Sequence, residues 1–374
     1  MMDQSTNETK LGESVTRMYN IPDSIKAKIG LNFHLKNNHP ICIIKNVIIK
    51  YLKTLDKFKN IITYDDLSPF VSVKNNFDLL RIPLQHPSRS RSDTYYVDNE
   101  TVLRTHTSAH QNELFERGYK SFIVTGDVYR KDEVDRYHYP VFHQMECVHI
   151  VDDDIDLEVD LKSTLSGLIE HLFPGKEYRF NSDYFPFTEP SFEMEVKFGD
   201  KWLEILGCGI IHTDILNTHG INKGWAFGFG LERIAMILFN IPDIRLFWTN
   251  DDKFTSQFKE GQLVEFKPYS KLDPIDRDIS FWIPEVDIID TEYCVWNNLN
   301  EFYQLVREVC GDNIENITLY DKFFHTKKLK YSHTFRLKFT PNVDSFNPTE
   351  FKKYVDSNMD VLRQKMPDLS VELR

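Results

Sequence analysis

Two segments far apart in the chain restrict its fold more than anything else. The first is Gly126-Asp-Val-Tyr-Arg130-Lys-Asp132, running on through His138-Tyr-Pro-Val-Phe142-His-Gln144-Met-Glu146; the second is Gly228-Phe-Gly230-Leu-Glu-Arg233. Phe122 to Arg130 and Phe142 to Val151 read as antiparallel strands around a polar turn, and Gly224 to Gly230 reads as a strand that enters the helix Leu231 to Phe239. Arg130 then ends an apolar strand and Arg233 opens an apolar helix, positions that turn both side chains toward a cleft where a helix N-terminus itself favours anions. Guanidiniums so placed suit a polyphosphate, because they neutralise a reacting phosphoryl group and hold the portion that leaves. Gly228-Phe-Gly230 alone is weak evidence, since a dinucleotide fingerprint carries a third glycine and follows a βα unit.

The remaining periodicity surrounds these segments with helices. Ile41, Ile44, Val47, Ile48 and Tyr51 form one amphipathic stripe after His39-Pro40, read as ordinary core packing. Leu157, Leu161, Leu165, Leu168, Ile169 and Leu172 form another between Ile155 and Phe173. Phe77 to Pro83 reads as a strand, Ser108 to Glu116 as a helix capped at Gly118, and Trp202 to Ile211 as a strand with two glycines. Strands without βαβ alternation give an α+β class, an antiparallel sheet flanked by helices.

A chain of 374 residues exceeds the usual single core, so two domains are expected. Residues 1–20 are polar and read as flexible, 21–246 as the first domain, 247–267 as a linker where periodicity fades, and 268–374 as a second domain. That second domain has the order βαββαβ, with strands at Ile279 to Ile283, Asn316 to Phe324, Thr334 to Phe339 and Leu369 to Leu373. Its helices are Val295 to Cys310 and a last one opened by Asn347-Pro348-Thr-Glu350, a cap, a first-turn proline and a capping-box acid. This is the ferredoxin-like split arrangement.

A formal charge of -12 leaves nonspecific adhesion to nucleic acid unsupported, so any RNA contact must come from a local patch. The patch on offer is Lys327, Lys328, Lys330, His333, Arg336 and Lys338, interleaved with Tyr331 and Phe335. Five cysteines without Cys-x-x-Cys spacing suggest neither a disulfide framework nor a thiolate zinc site. No uncharged apolar run reaches membrane-spanning length. His106 and His110 lack the glutamate of a zinc peptidase helix, Thr107 standing in its place, and Ser108 lies in no nucleophile elbow.

Arg130 to Glu146 resembles the second signature motif of the class II aminoacyl-tRNA synthetases, and Gly228 to Arg233 the third. His106-Thr-Ser108-Ala-His-Gln111, Phe142-His-Gln144-Met-Glu146, Phe185-Pro-Phe187-Thr-Glu189-Pro and Gly224-Trp-Ala226-Phe-Gly228 together are similar to the phenylalanyl-tRNA synthetases, in their compact single-chain mitochondrial form. The resemblance covers about Tyr19 to Arg374 and implies a class II catalytic domain followed by a ferredoxin-like anticodon-binding domain.

That resemblance implies an ATP-dependent ligase that joins L-phenylalanine to tRNA-Phe, with ATP as substrate and Mg2+ as cofactor. A mitochondrial matrix location and a monomer are implied too, although Asp3, Glu8 and Glu13 make the N-terminus unlike a typical presequence. The alternative is a catalytically silent relative that binds phenylalanine or RNA. Arg130 and Arg233 would be catalytic; Asp132, Tyr137, His138, Tyr139, Phe142 and Glu204 would complete the ATP site, with Glu204 and Glu189 as magnesium ligands. His106, Ser108, Gln111, Gln144 and Glu146 would meet the polar end of phenylalanine. Phe185, Phe187, Ala226 and Phe227 would surround its ring, Gly207 and Gly209 would allow close approach, and Phe185-Pro-Phe187 would place both rings on one side of an extended segment. Lys327, Lys328, Lys330, Arg336 and Lys338 would contact tRNA.

Overall fold

The computed structural model describes residues 20–151, 154–249, 251–268, 272–284, 288–290 (backbone only), 295–341 and 346–374. Residues 1–19, most of the segment read as flexible, lie outside them, as do Tyr269 to Lys271. The first strands are β1 (Ile62–Tyr64), β2 (Phe70–Ser72), β3 (Thr101–Leu103), β4 (Ser121–Tyr129), β5 (Val141–Ile150), β6 (Tyr178–Asp183), β7 (Thr188–Phe198), β8 (Lys201–Ile211) and β9 (Gly224–Gly230). All but β2 and β3 join one sheet in the order β1-β4-β5-β9-β8-β7-β6. Its neighbours run antiparallel except the edge pair β1 and β4, which is parallel.

Alternation along the strands divides the sheet's contacts between two cores. Ile123, Met145, Cys147, Trp225, Phe227 and Phe229 face the helices Pro40–Leu52, Leu157–Leu172 and Leu231–Leu238. Phe122, Val124, Val148, Ile150 and Ala226 face the opposite way, onto Phe77, Leu80, Leu114 and Phe115. Helix Leu157–Leu172 starts where the Asp156 carboxylate accepts the N–H groups of Glu158 and Val159, and it buries Leu161, Leu165, Leu168, Ile169 and Leu172 as its spacing predicts. Phe77 to Pro83 is not a strand: the chain is helical over Val73–Asn76 and again over Asp78–Leu80, with the side chain of Ser72 capping the first turn. The segment read as a linker is packed instead, for Phe247, Trp248, Phe254, Phe258 and Phe266 are buried in the first core. Fading periodicity there reflects short irregular turns pinned by these aromatic residues.

The C-terminal unit contains β10 (Ile275–Ile283), β11 (Ile288–Asp290), β12 (Val295–Trp296), β13 (Ile314–His325), β14 (Lys330–Phe339) and β15 (Glu372–Leu373). With the helices Leu299–Cys310 and Pro348–Lys365 it forms a sheet ordered β13-β14-β10-β15, the βαββαβ arrangement, while β11 and β12 make a small inserted hairpin. Asn347 and Glu350 form the expected reciprocal capping box beside Pro348. This unit grips the loop between β4 and β5. Val134 is buried in its core, Ile317 donates its N–H to the Val134 carbonyl at 2.9 Å, Tyr139 donates its hydroxyl to Asp312 at 2.6 Å, and Arg136 pairs with Glu315 at 2.7 Å. Among the described residues no helix is long and apolar enough to cross a membrane.

Candidate functional site

Toward one end of the sheet the apolar face gives way to a cavity of about 720 Å³. The even-numbered positions that bury Val148, Ile150 and Ala226 continue as Glu146, Gln144 and Phe142 on β5 and as Gly228 and Gly230 on β9. Glycine makes the hollow: Gly228, Gly230 and, across from Gly228 on β8, Gly207 supply no side chain to fill it.

Arg130 and Arg233 line this cavity together, and one carboxylate relates them. Arg233 donates to the Glu204 carbonyl at 2.8 Å and lies 3.4 Å from its carboxylate, while the charge of the same glutamate acts on Arg130. Burial lowers the Arg130 pKa from its ordinary value, with Asp132 and then Glu204 opposing the shift. The Arg130 guanidinium sits 5.3 Å from the centre of the Phe142 ring and its Nε donates to the Thr105 carbonyl at 2.7 Å. Asp132, Tyr137, His138 and Tyr139 line the same end. Tyr137 is exposed, whereas Tyr139 is buried with its hydroxyl committed to Asp312.

The other end combines a buried acid with aromatic walls. Glu146 accepts from the Ser108 hydroxyl at 2.5 Å and the Thr107 hydroxyl at 3.3 Å, and burial pushes its pKa up to about 7. Gln144 accepts from the Thr107 N–H at 3.3 Å. His106 lies 6.2 Å from the Phe187 ring, and burial followed by the Arg130 charge drives its pKa down to about 3, so the ring is neutral. Phe185 and Phe187 stack at 5.8 Å and 14°, yet the segment carrying them is a turn: the Thr188 N–H donates to the Phe185 carbonyl, with Pro186 at the position of a turn that proline favours. Ala226 and Phe227 complete the wall.

Three sequence candidates lie outside the cavity lining. Gln111 is buried, and a Cβ added at Gly209 would meet Thr188 and the Pro190 carbonyl. Glu189 is 79% exposed and sits 3.4 Å from His212. A magnesium ion held with substrate phosphates needs only one or two carboxylates, so Glu204 fits that group where Glu189 does not. Among the described residues, Glu133, Asp135 and His138 also bring ligand-type atoms together, but Asp135 there closes a turn, accepting from the N–H groups of Tyr137 and His138.

On the C-terminal unit, Arg336 is paired with Asp278 at 2.8 Å, Lys338 with Glu315 at 3.0 Å and Lys330 with Glu372 at 3.1 Å. Lys327 and Lys328 are exposed at the hairpin tip, and His333 is buried. The basic stretch is thus more nearly neutral in space than in sequence.

The family model for the core domain of class II tRNA synthetases, type F, matches residues 31–258. A chloroplastic and mitochondrial phenylalanine–tRNA ligase of Arabidopsis thaliana is 48% identical over 370 residues, spanning 95% of this chain and 82% of the relative. The chain belongs to the phenylalanine–tRNA ligases. A mitochondrial phenylalanine–tRNA ligase of Mus musculus is 40% identical over 86% of this chain and 78% of its own length; one of Saccharomyces cerevisiae is 36% identical over 95% of this chain and 92% of its own.

Within this phenylalanine–tRNA ligase fold, sequence reasoning passed over Thr107, His143 and Glu232. Thr107 stands between two named residues, and the tight helix Thr107–His110 explains how it reaches both Gln144 and Glu146. Gly207→Ala is expected to raise the KM for phenylalanine roughly tenfold with the KM for ATP little changed, because an added methyl would lie 2.8 Å from the Phe185 ring. Equal changes in both constants would show that the ring does not bound the amino-acid end.

Proposed function

We propose that the chain is a mitochondrial phenylalanine–tRNA ligase that works by placing a nucleotide and an amino acid head to head in this cavity. The observation that carries the reading is the shared wall: two guanidiniums beside Glu204 at one end, and a buried carboxylate under stacked aromatic rings at the other. Glu146, Gln144, Ser108 and His106 would receive the α-ammonium and orient the carboxylate, while Phe185, Phe187, Ala226 and Phe227 enclose the ring.

The phenylalanine carboxylate oxygen then attacks the α-phosphorus of ATP as the bond to pyrophosphate breaks, giving phenylalanyl-adenylate. Arg130 neutralises charge where carboxylate and α-phosphate meet, Arg233 holds the departing phosphates, and Phe142 stacks on adenine. Glu204 would hold magnesium, which would supply positive charge against the phosphates. A terminal ribose hydroxyl of tRNA-Phe next attacks the acyl carbon and releases AMP. The C-terminal unit, with Lys327 and Lys328 exposed, would meet the anticodon loop. No side chain acts as a nucleophile.

Pyrophosphate exchange measured with each of the twenty amino acids tests this reading. Phenylalanine should support it best, and tyrosine should be activated about a hundredfold less well, since an apolar pocket rejects an added hydroxyl only to that extent. Undetectable tyrosine activation would mean that a polar group guards the ring's far edge. Phenylalanine binding without any exchange would replace the ligase by a silent binder.

A further inference from the structure

Antiparallel pairing of β5 with β9 ends at Gln144 and Gly230, because the chain turns there into the helix Leu231–Leu238. Beyond that point a side chain takes the ladder's place: the carboxylate of Glu232 accepts the backbone N–H of His143 on both oxygens, at 2.9 and 2.8 Å. Its third bond, from His143 Nδ1 at 2.7 Å, fixes the carboxylate's rotation, and the His143 ring is stacked on Trp248 at 5.4 Å and 16°. Glu232 is 1% exposed and His143 is fully buried, so water cannot replace these bonds.

The peptide that carries the His143 N–H also carries Phe142, and the residue after Glu232 is Arg233. One buried carboxylate therefore ties the backbone behind the adenine-side ring to the helical turn that bears the distal guanidinium. We infer that Glu232 is a positioning residue that sets the span between the adenine and polyphosphate ends of the nucleotide site. This rests on the nucleotide reading above and adds the element that fixes its length. In Glu232→Gln an amide N–H2 would face the His143 donors and only one acceptor would remain; Glu232→Asp keeps the charge but is a methylene short.

Equilibrium binding of ATP, AMP and inorganic tripolyphosphate to the full-length wild type, E232Q and E232D separates spacing from general damage. A spacer predicts that E232Q weakens ATP roughly tenfold or more while AMP and tripolyphosphate each change by less than about threefold, because either half can be accommodated alone. E232D should show the same pattern more weakly, and it carries the test if E232Q fails to fold. Equal weakening of ATP and AMP, or unchanged ATP binding in both variants, would overturn the assignment. A wild type that bound neither nucleotide would sink the nucleotide reading itself and the spacer with it.

Discussion

Arg130→Ala is expected to lower phenylalanine-dependent pyrophosphate exchange by roughly a thousandfold while the protein still unfolds in one cooperative step. The guanidinium sits at the end of β4 on the cavity wall, beside Phe142 and within the field of Glu204; in the proposed reaction, charge would develop there as carboxylate and α-phosphate meet. Removing it leaves that charge to a site from which much of the solvent is excluded, and nothing reorganises to replace a fixed cation. Arg130→Lys should recover little, because a point charge cannot reproduce a planar fork that also donates to the Thr105 carbonyl. Arg233, half open to solvent and already leaning on Glu204, should give a smaller loss seen mainly in the KM for ATP. Exchange within tenfold of wild type in the Arg130→Ala protein would remove this residue from the chemistry.

Glu146→Gln should weaken phenylalanine binding by roughly a hundredfold, the cost of losing a charged acceptor for the ammonium in a buried place. Burial raises the Glu146 pKa from 4.5 to about 7, so below pH 7 the ligand-free protein favours the protonated acid. Its contribution to stability is whole below about pH 4.5 and disappears as the pH rises through 7; above that the buried charge costs about 3 kcal/mol. Two opposite responses follow. Wild-type affinity for phenylalanine should climb with pH toward 7 and level off above it, whereas the glutamine variant should show no such rise. The ligand-free variant should also melt higher than wild type at pH 8. Calorimetry and thermal unfolding across pH 5.5 to 8.5 measure both, and parallel affinity profiles in the two proteins would show that Glu146 does not meet the ammonium.

Much of this architecture was legible because strand alternation and helix spacing are local properties. Phe122 to Arg130, Phe142 to Val151, Trp202 to Ile211 and the capped helix at Pro348 all appear within a residue or two of their expected places. The hairpin of β6 and β7 was missed although Phe192, Met194, Val196 and Phe198 alternate with charged residues along β7; its outer strand is largely exposed, and the polar tract Asn181-Ser-Asp183 there reads as loop. Phe77 to Pro83 misled for the opposite reason, since an apolar run fits a buried short helix as well as a strand. Most charged residues that line the cavity were visible in the sequence. Glu232, although it lies inside the motif Gly228 to Arg233, was not, because the backbone N–H that it accepts is one that only the end of a ladder exposes.

The grip of the C-terminal unit on the loop between β4 and β5 makes the two halves poor candidates for exchangeable modules. Separating them would break the Tyr139–Asp312 bond, the Arg136–Glu315 pair and the Val134–Ile317 link, and so slacken the very stretch that carries Asp132, Tyr137 and His138 on the cavity wall. Whatever pulls on the far lobe is mechanically wired to the wall of the cavity.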